Sequence, residues 1–179
     1  IGNTTAATAI TSVVTGLPVS GLTGAGTGID AERRAHKAQV IDDALRLHAP
    51  DVGDPVGLLA AVGGFEIGAI AGATLAAATR RVPVIVDGFI STAGALVASL
   101  LSPNATATMF ASHGSAEPGH AAALKSLGLE PLLQLGMRLG EGTGAALAMP
   151  IIEAAGLVLC DMASFEDAGV SQAAEEGEG

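Results

Sequence analysis

Apolar positions in this chain fall in blocks of small residues separated by polar, glycine-bearing breaks, and their spacing predicts helices alternating with short strands. Asn3, Thr4 and Thr5 are good N-cap residues for a small-residue helix over Ala6–Val14, which Gly16-Leu17-Pro18 ends. Asp30 caps a polar helix, Ala31 to His48, whose Val40, Ile41, Leu45 and Leu47 give only an incomplete apolar face. Asp51 to Pro55 is a turn, with Asp54 as cap and Pro55 as the first residue of the next helix. Val62-Gly63-Gly64 then leads into an alanine-rich helix through Ala78, stopped at Arg80-Arg81-Val82-Pro83. Pro83–Val86 is the clearest buried strand, short and β-branched, and a helix over Ile90–Leu101 follows its Asp87-Gly88 end. Thr108–Ala111 is the next strand, and its polar exit, Ser112 to His120, runs into a helix ending at Leu127. Glu130–Met137 carries the chain to a glycine-rich loop, Arg138–Gly144, and a long apolar run. No internal repeat appears.

A strand that ends in Asp-Gly before a helix puts Asp87 at the carboxyl edge of a parallel sheet, where open α/β folds bind ligands. The loop after the second strand opens on the same edge. The expected architecture is therefore α/β, a parallel sheet flanked by alanine- and glycine-rich helices. At 179 residues, 49% of them hydrophobic, the chain has the core of one domain.

Mean hydropathy is positive, so the apolar runs have to be compared with the roughly 20 residues of a membrane span. The best candidate, Gly142 to Cys160, contains Pro150 and Glu153 and is only moderately hydrophobic, which predicts a buried core helix. Cys160 in that run reads as a buried, unreactive thiol; a lone cysteine makes no intrachain disulfide and fits a reducing cytosol. The net charge of −10 and the 2% aromatic content argue against a nucleic-acid or anionic-membrane surface. The opening, Ile1-Gly2-Asn3, has no initiator Met or basic leader and reads as a cut inside a longer protein. The acidic, glycine-rich end is expected to be disordered, with the tail taken as residues 166–179.

Candidate chemistry gathers on the loops. In Arg138-Leu139-Gly140-Glu141-Gly142-Thr143-Gly144, three glycines surround one carboxylate on a loop that opens a helix. Glu141 is either a catalytic acid or base, or a carboxylate complementing the helix dipole. Thr23-Gly24-Ala25-Gly26-Thr27-Gly28 is either an anion cradle or a plain turn, since it lacks the full dinucleotide fingerprint. Lys37 sits with Arg33, Arg34 and His36 in the densest positive cluster, an anion site or a solvated face. His113, Glu117 and His120 lack the i, i+4 pair of a helical zinc site, and Pro118 interrupts them, which argues against a metal. Ser115 lacks the Gly-x-Ser-x-Gly frame of a hydrolase, leaving phosphate or sugar binding, or capping.

Taken in order, Gly2-Asn3-Thr4-Thr5, Gly24-x-Gly26-Thr27-Gly28, Val62-Gly63-Gly64-Phe65-Glu66, Val86-Asp87-Gly88-Phe89, Ser112-His113-x-Ser115-Ala116-Glu117 and Arg138 to Ala148 resemble the nicotinate-nucleotide:dimethylbenzimidazole phosphoribosyltransferase family. The resemblance covers residues 1 to about 165 and implies part of one Rossmann-like catalytic domain. It further implies transfer of phosphoribose from nicotinate mononucleotide to 5,6-dimethylbenzimidazole by a homodimer without metal or redox cofactor. Glu141 falls where the family has its general base, and Gly2, Gly26, Lys37, Asp87 and Ser115 fall on phosphate and ribose contacts. The family's Gly-Glu-Met segment before Gly-x-Asn-Thr-Thr, and the region preceding it, are not in this sequence, so the resemblance is to the C-terminal half. A non-catalytic nucleotide-binding or oligomerisation module is the alternative.

Overall fold

The computed structural model describes residues 3–25 and 28–169. The chain divides into two units, Ile1–Ala148 and Met149–Gly179. The first holds α1 (Asn3–Thr15), α2 (Val19–Leu22), α3 (Ala31–His48), α4 (Pro55–Val62), α5 (Phe65–Thr79), β1 (Val84–Val86), α6 (Phe89–Leu101), a 3-10 turn at Pro103–Thr108, β2 (Met109–His113), α7 (Pro118–Leu127) and β3 (Pro131–Leu133). A last helix, α8, spans Thr143–Asp161.

Local signals account for most boundaries. Asp30 accepts the Arg33 N–H at 2.8 Å to start α3, and Asp54 accepts the Gly57 N–H at 2.9 Å to start α4, as expected of both residues. Gly128, with φ 68°, ends α7 in the left-handed conformation glycine adopts most easily.

The three strands form a parallel sheet in the order β1-β2-β3. Val84, Ile85 and Val86 face Met109, Phe110 and Ala111, and Ala111 and His113 face Pro131 and Leu133. Parallel pairing needs crossovers, and α6 and α7 supply them, so every strand ends at the same edge. α6 is the central helix: Thr92 through Ala98 are all buried, packed with Ala7 and Ile10 of α1, Ile67 and Ala71 of α5 and Ala123 of α7. Small side chains let these backbones come close, which is what the alanine-rich composition provides.

Some expectations shift. α1 already includes Asn3, so Asn3–Thr5 form its first turn; α7 begins at Pro118 rather than His120. α2, the 3-10 turn and β3 are additions, each too short to carry a period, and β3 opens on a proline that reads as a break. The expected burial of the 142–160 run is overturned. Within α8 only Gly144 and Ala148 are buried, while Leu147, Met149, Leu157, Leu159 and Cys160 are exposed. Composition records what a helix can bury, but burial needs a neighbour. By length and composition α8 is also the one helix among the described residues that could cross a membrane. In the second unit a turn follows α8, closed by Ser164 Oγ donating to Asp167 at 2.6 Å; of the expected acidic tail, residues 170–179 lie outside the described residues.

Candidate active site

Because the strands are parallel, their polar exits meet at one edge. There Asp87 and Gly88 follow β1, and Ser115 and Glu117 follow β2. Together with Asn3–Thr5, Lys37 and the Arg138–Gly142 loop they line a cleft of about 770 Å³. The N-terminal turns of α1 and α6 open into it. Orphan N–H groups at helix starts favour an anion, and Lys37 and Arg138 add positive side chains. Lys37, Asp87, Ser115 and Glu141 thus share one cavity, although they come from four separate stretches of sequence. Gly2 and Gly26 lie outside the described residues.

Asp87 holds the Glu141 loop in place. Its carboxylate accepts the Ala145 N–H at 2.9 Å and the Gly142 N–H at 3.2 Å, so a strand end supplies the cap that α8 lacks locally. This cap is made across the fold, by a residue 55 and 58 positions from its two donors. Glu141 itself has φ 58° between Gly140 at 76° and Gly142 at 77°. A non-glycine residue in this region costs about 1–3 kcal/mol and persists where surrounding contacts hold it, often at functional sites. Thr143 closes the turn by donating N–H and Oγ–H to the Gly140 carbonyl at 3.0 and 2.7 Å. Gly144 lies against His113: a Cβ there would come 1.9 Å from Nδ1 of the buried ring.

Lys37 reaches away from its exposed neighbours Arg33, Arg34 and His36 and donates to Thr4 Oγ1 at 2.8 Å. Burial lowers its pKa from the ordinary lysine value, while the Glu117 carboxylate pulls it back up. A partly desolvated ammonium is a strong partner for a phosphate.

Two buried histidines support the loops, a role sequence reasoning missed. His120 Nδ1 accepts the Ser115 N–H at 3.0 Å, so this nitrogen carries no proton. Nε2 therefore donates to Thr92 Oγ1 at 3.0 Å, and Thr92 donates to the Gly88 carbonyl at 2.9 Å. Burial, chiefly, pushes the His120 pKa down to about 4; His113 lowers it further and Asp87 opposes. His113 Nδ1 lies 2.9 Å from Ser112 Oγ, which itself donates to the Asp87 carbonyl at 3.0 Å, so the ring donates to the serine. Ser115 Oγ accepts the Glu117 N–H at 3.3 Å, which leaves its own proton to donate. The only sequence signal for these roles was the clustering of two histidines on one strand exit.

A phosphoribosyltransferase family model, DBI_PRT, matches residues 1–170. The chain belongs to this family. Among its phosphoribosyltransferase relatives, the nicotinate-nucleotide–dimethylbenzimidazole phosphoribosyltransferase of Desulforudis audaxviator is 57% identical over 173 residues, covering 97% of this chain and 49% of its own length. The enzyme of the same name from Syntrophobacter fumaroxidans is 57% identical over 171 residues, 96% of this chain and 48% of the relative. The crystal structure of CobT from Thermus thermophilus superposes with a TM-score of 0.89 at 47% identity, covering 97% of this chain and 51% of that one. The chain spans about half the length of the curated relatives it matches.

Proposed function

We propose that the native polypeptide carrying this chain transfers phosphoribose from nicotinate mononucleotide to 5,6-dimethylbenzimidazole, giving α-ribazole 5′-phosphate and nicotinate for the cobalamin nucleotide loop. The carrying observation is the convergence of Lys37, Asp87, Ser115 and Glu141 on one cleft at the carboxyl edge of the sheet. The relatives named above support the choice of substrates.

In this reading the phosphate sits against Lys37 and the helix starts, and the Ser115 hydroxyl donates to the phosphate or ribose. Gly2 and Gly26 would add backbone N–H groups. Asp87 fixes the Glu141 loop, and because a carboxylate has about four acceptor positions it can also take a ribose hydroxyl. One benzimidazole nitrogen attacks the anomeric carbon as the bond to nicotinate breaks. Nicotinate leaves with the bonding pair, which neutralises its cationic ring, and inversion gives the α-linkage. The second benzimidazole nitrogen passes its proton to the Glu141 carboxylate, so the product is not left cationic. No step calls for a metal or redox cofactor.

We further assign a cytoplasmic homodimer with no nucleic-acid or membrane partner. The net charge of −10 and the 2% aromatic content support the first exclusion. Exposed Met149, Leu157, Leu159 and Met162 offer apolar surface for a second copy. Mass spectrometry after mixing the native polypeptide with both substrates tests the reaction. α-Ribazole 5′-phosphate is the expected product. Tight nucleotide binding without product would leave a binding module instead.

A further inference from the structure

The loop that carries Ser115 is a thin partition. Ser115 lines the cleft described above and also a second cavity of about 680 Å³, bounded by Leu124, Leu129, Pro131 and Gln134. With cavity on two sides, the loop relies in part on hydrogen bonds, beginning where Gly114 N–H meets the Leu133 carbonyl at 2.9 Å. Ala116 N–H reaches the Met137 carbonyl at 3.3 Å, and Ser115 N–H reaches His120 Nδ1 at 3.0 Å. The His120 contact continues inward through Thr92 Oγ1 to the carbonyl of Gly88, which precedes α6 and lines the cleft.

We propose that His120 is a positioning residue that ties the Ser115 loop to the start of α6 and so sets the spacing of two groups facing the phosphoribosyl part of the substrate. The chain Ser115 N–H to His120 to Thr92 to Gly88 runs in one direction, with each donor used once. It needs an acceptor at Nδ1 and a donor at Nε2, which the neutral ring supplies together. An imidazolium would turn Nδ1 into a second donor facing the Ser115 N–H. His120 is only 1% exposed, and the groups facing it are His113, Asp87 and Thr92. The inference rests on the transferase reading for its kinetic consequence only.

The test separates the two ends of the ring in the native polypeptide. His120→Asn keeps an acceptor near the Nδ1 position, whereas His120→Gln keeps a polar group near Nε2 and loses the one that meets Ser115. The Gln variant is expected to raise KM for nicotinate mononucleotide about fivefold to tenfold with little change in kcat, the signature of one lost binding contact. The Asn variant keeps the Ser115 contact but gives up the one to Thr92, so its KM should rise too, by about twofold to fivefold, with the Ser115 amide still protected. Amide exchange and imidazole 15N shifts supply an arm independent of activity: wild type should show a protected Ser115 amide and an unprotonated Nδ1, and Gln should lose the protection. If wild type makes no product, the transferase reading fails while the exchange arm still tests the tether. Wild-type KM values in both variants, or an unprotected Ser115 amide in wild type, would overturn the proposal.

Discussion

Asp87 Oδ1 accepts the N–H of Ala145, 58 positions further along the chain, at 2.9 Å, and through that bond the end of one strand fixes the start of another element's helix. Gly142 N–H on Oδ2 at 3.2 Å completes the pair. The residue held between these contacts and the Gly140 turn is Glu141. Asp87→Ala should therefore act on both stability and chemistry. Loss of a helix cap costs about 1–2 kcal/mol, and turnover should fall beyond what the fraction unfolded explains, because the Glu141 loop is released. Asp87→Asn keeps one acceptor oxygen and should lie between. Urea unfolding together with kcat measures both; a stability loss with unchanged kcat would reduce Asp87 to a cap alone.

Glu141 allows a second test in which stability and activity move in opposite directions. Its φ of 58° suits glycine better than glutamate, so Glu141→Gly should relieve strain of about 1 kcal/mol at the cost of some unfolded-state entropy. Thermal stability should hold or rise while transfer is lost. Glu141→Gln keeps shape and should lower turnover by about 10²- to 10⁴-fold with nucleotide affinity intact. Near-normal turnover in the Gln variant would leave Glu141 as a loop residue.

These contacts also define what the sequence could and could not disclose. The carboxyl edge was legible because Val84–Val86 followed by Asp87-Gly88 combines a strand period with a turn, both local signals. Asp30 and Asp54 were legible as caps for the same reason. Asp87 as the cap of α8 was not, because its partners are backbone N–H groups far along the chain. His120 was missed because a buried histidine and an exposed one look alike until the strand exit folds over it. β3 was hidden by Pro131, whose pairing with Ala111 depends on β2 already being in place. The exposure of α8 was misread because apolar composition describes a capacity for burial, not the presence of a neighbour.

Gly144 is a steric requirement. A Cβ at this position would overlap the His113 ring, with Nδ1 at 1.9 Å, and the ring cannot retreat because it is buried and bonded to Ser112. Gly144→Ala should cost about 1–3 kcal/mol by overpacking, more than offsetting alanine's better helix propensity. It should also displace the first turn of α8, and with it the Asp87 contacts. A melting temperature equal to wild type would mean that helix and ring separate freely.

His120 makes a pH prediction whose sign follows from its depressed pKa. In the unfolded chain an ordinary histidine protonates near pH 6.5, whereas the folded ring does so at about 4, mainly because burial penalises its charge. Between those values the unfolded chain binds a proton that the folded one does not, so stability falls as pH falls. The contribution is fully present above the unfolded pKa, is lost progressively down to about 4, and loses nothing more below that. The whole window is worth about 3 kcal/mol, of which about 2 kcal/mol should go between about pH 7 and about pH 5. Carboxylates titrate in the lower part of this range, so the informative quantity is a difference between two proteins. His120→Gln stays neutral throughout and should show a shallower slope in urea unfolding across those pH values. Parallel curves for wild type and variant would mean that the ring takes up its proton inside the fold, and that burial does not hold it neutral.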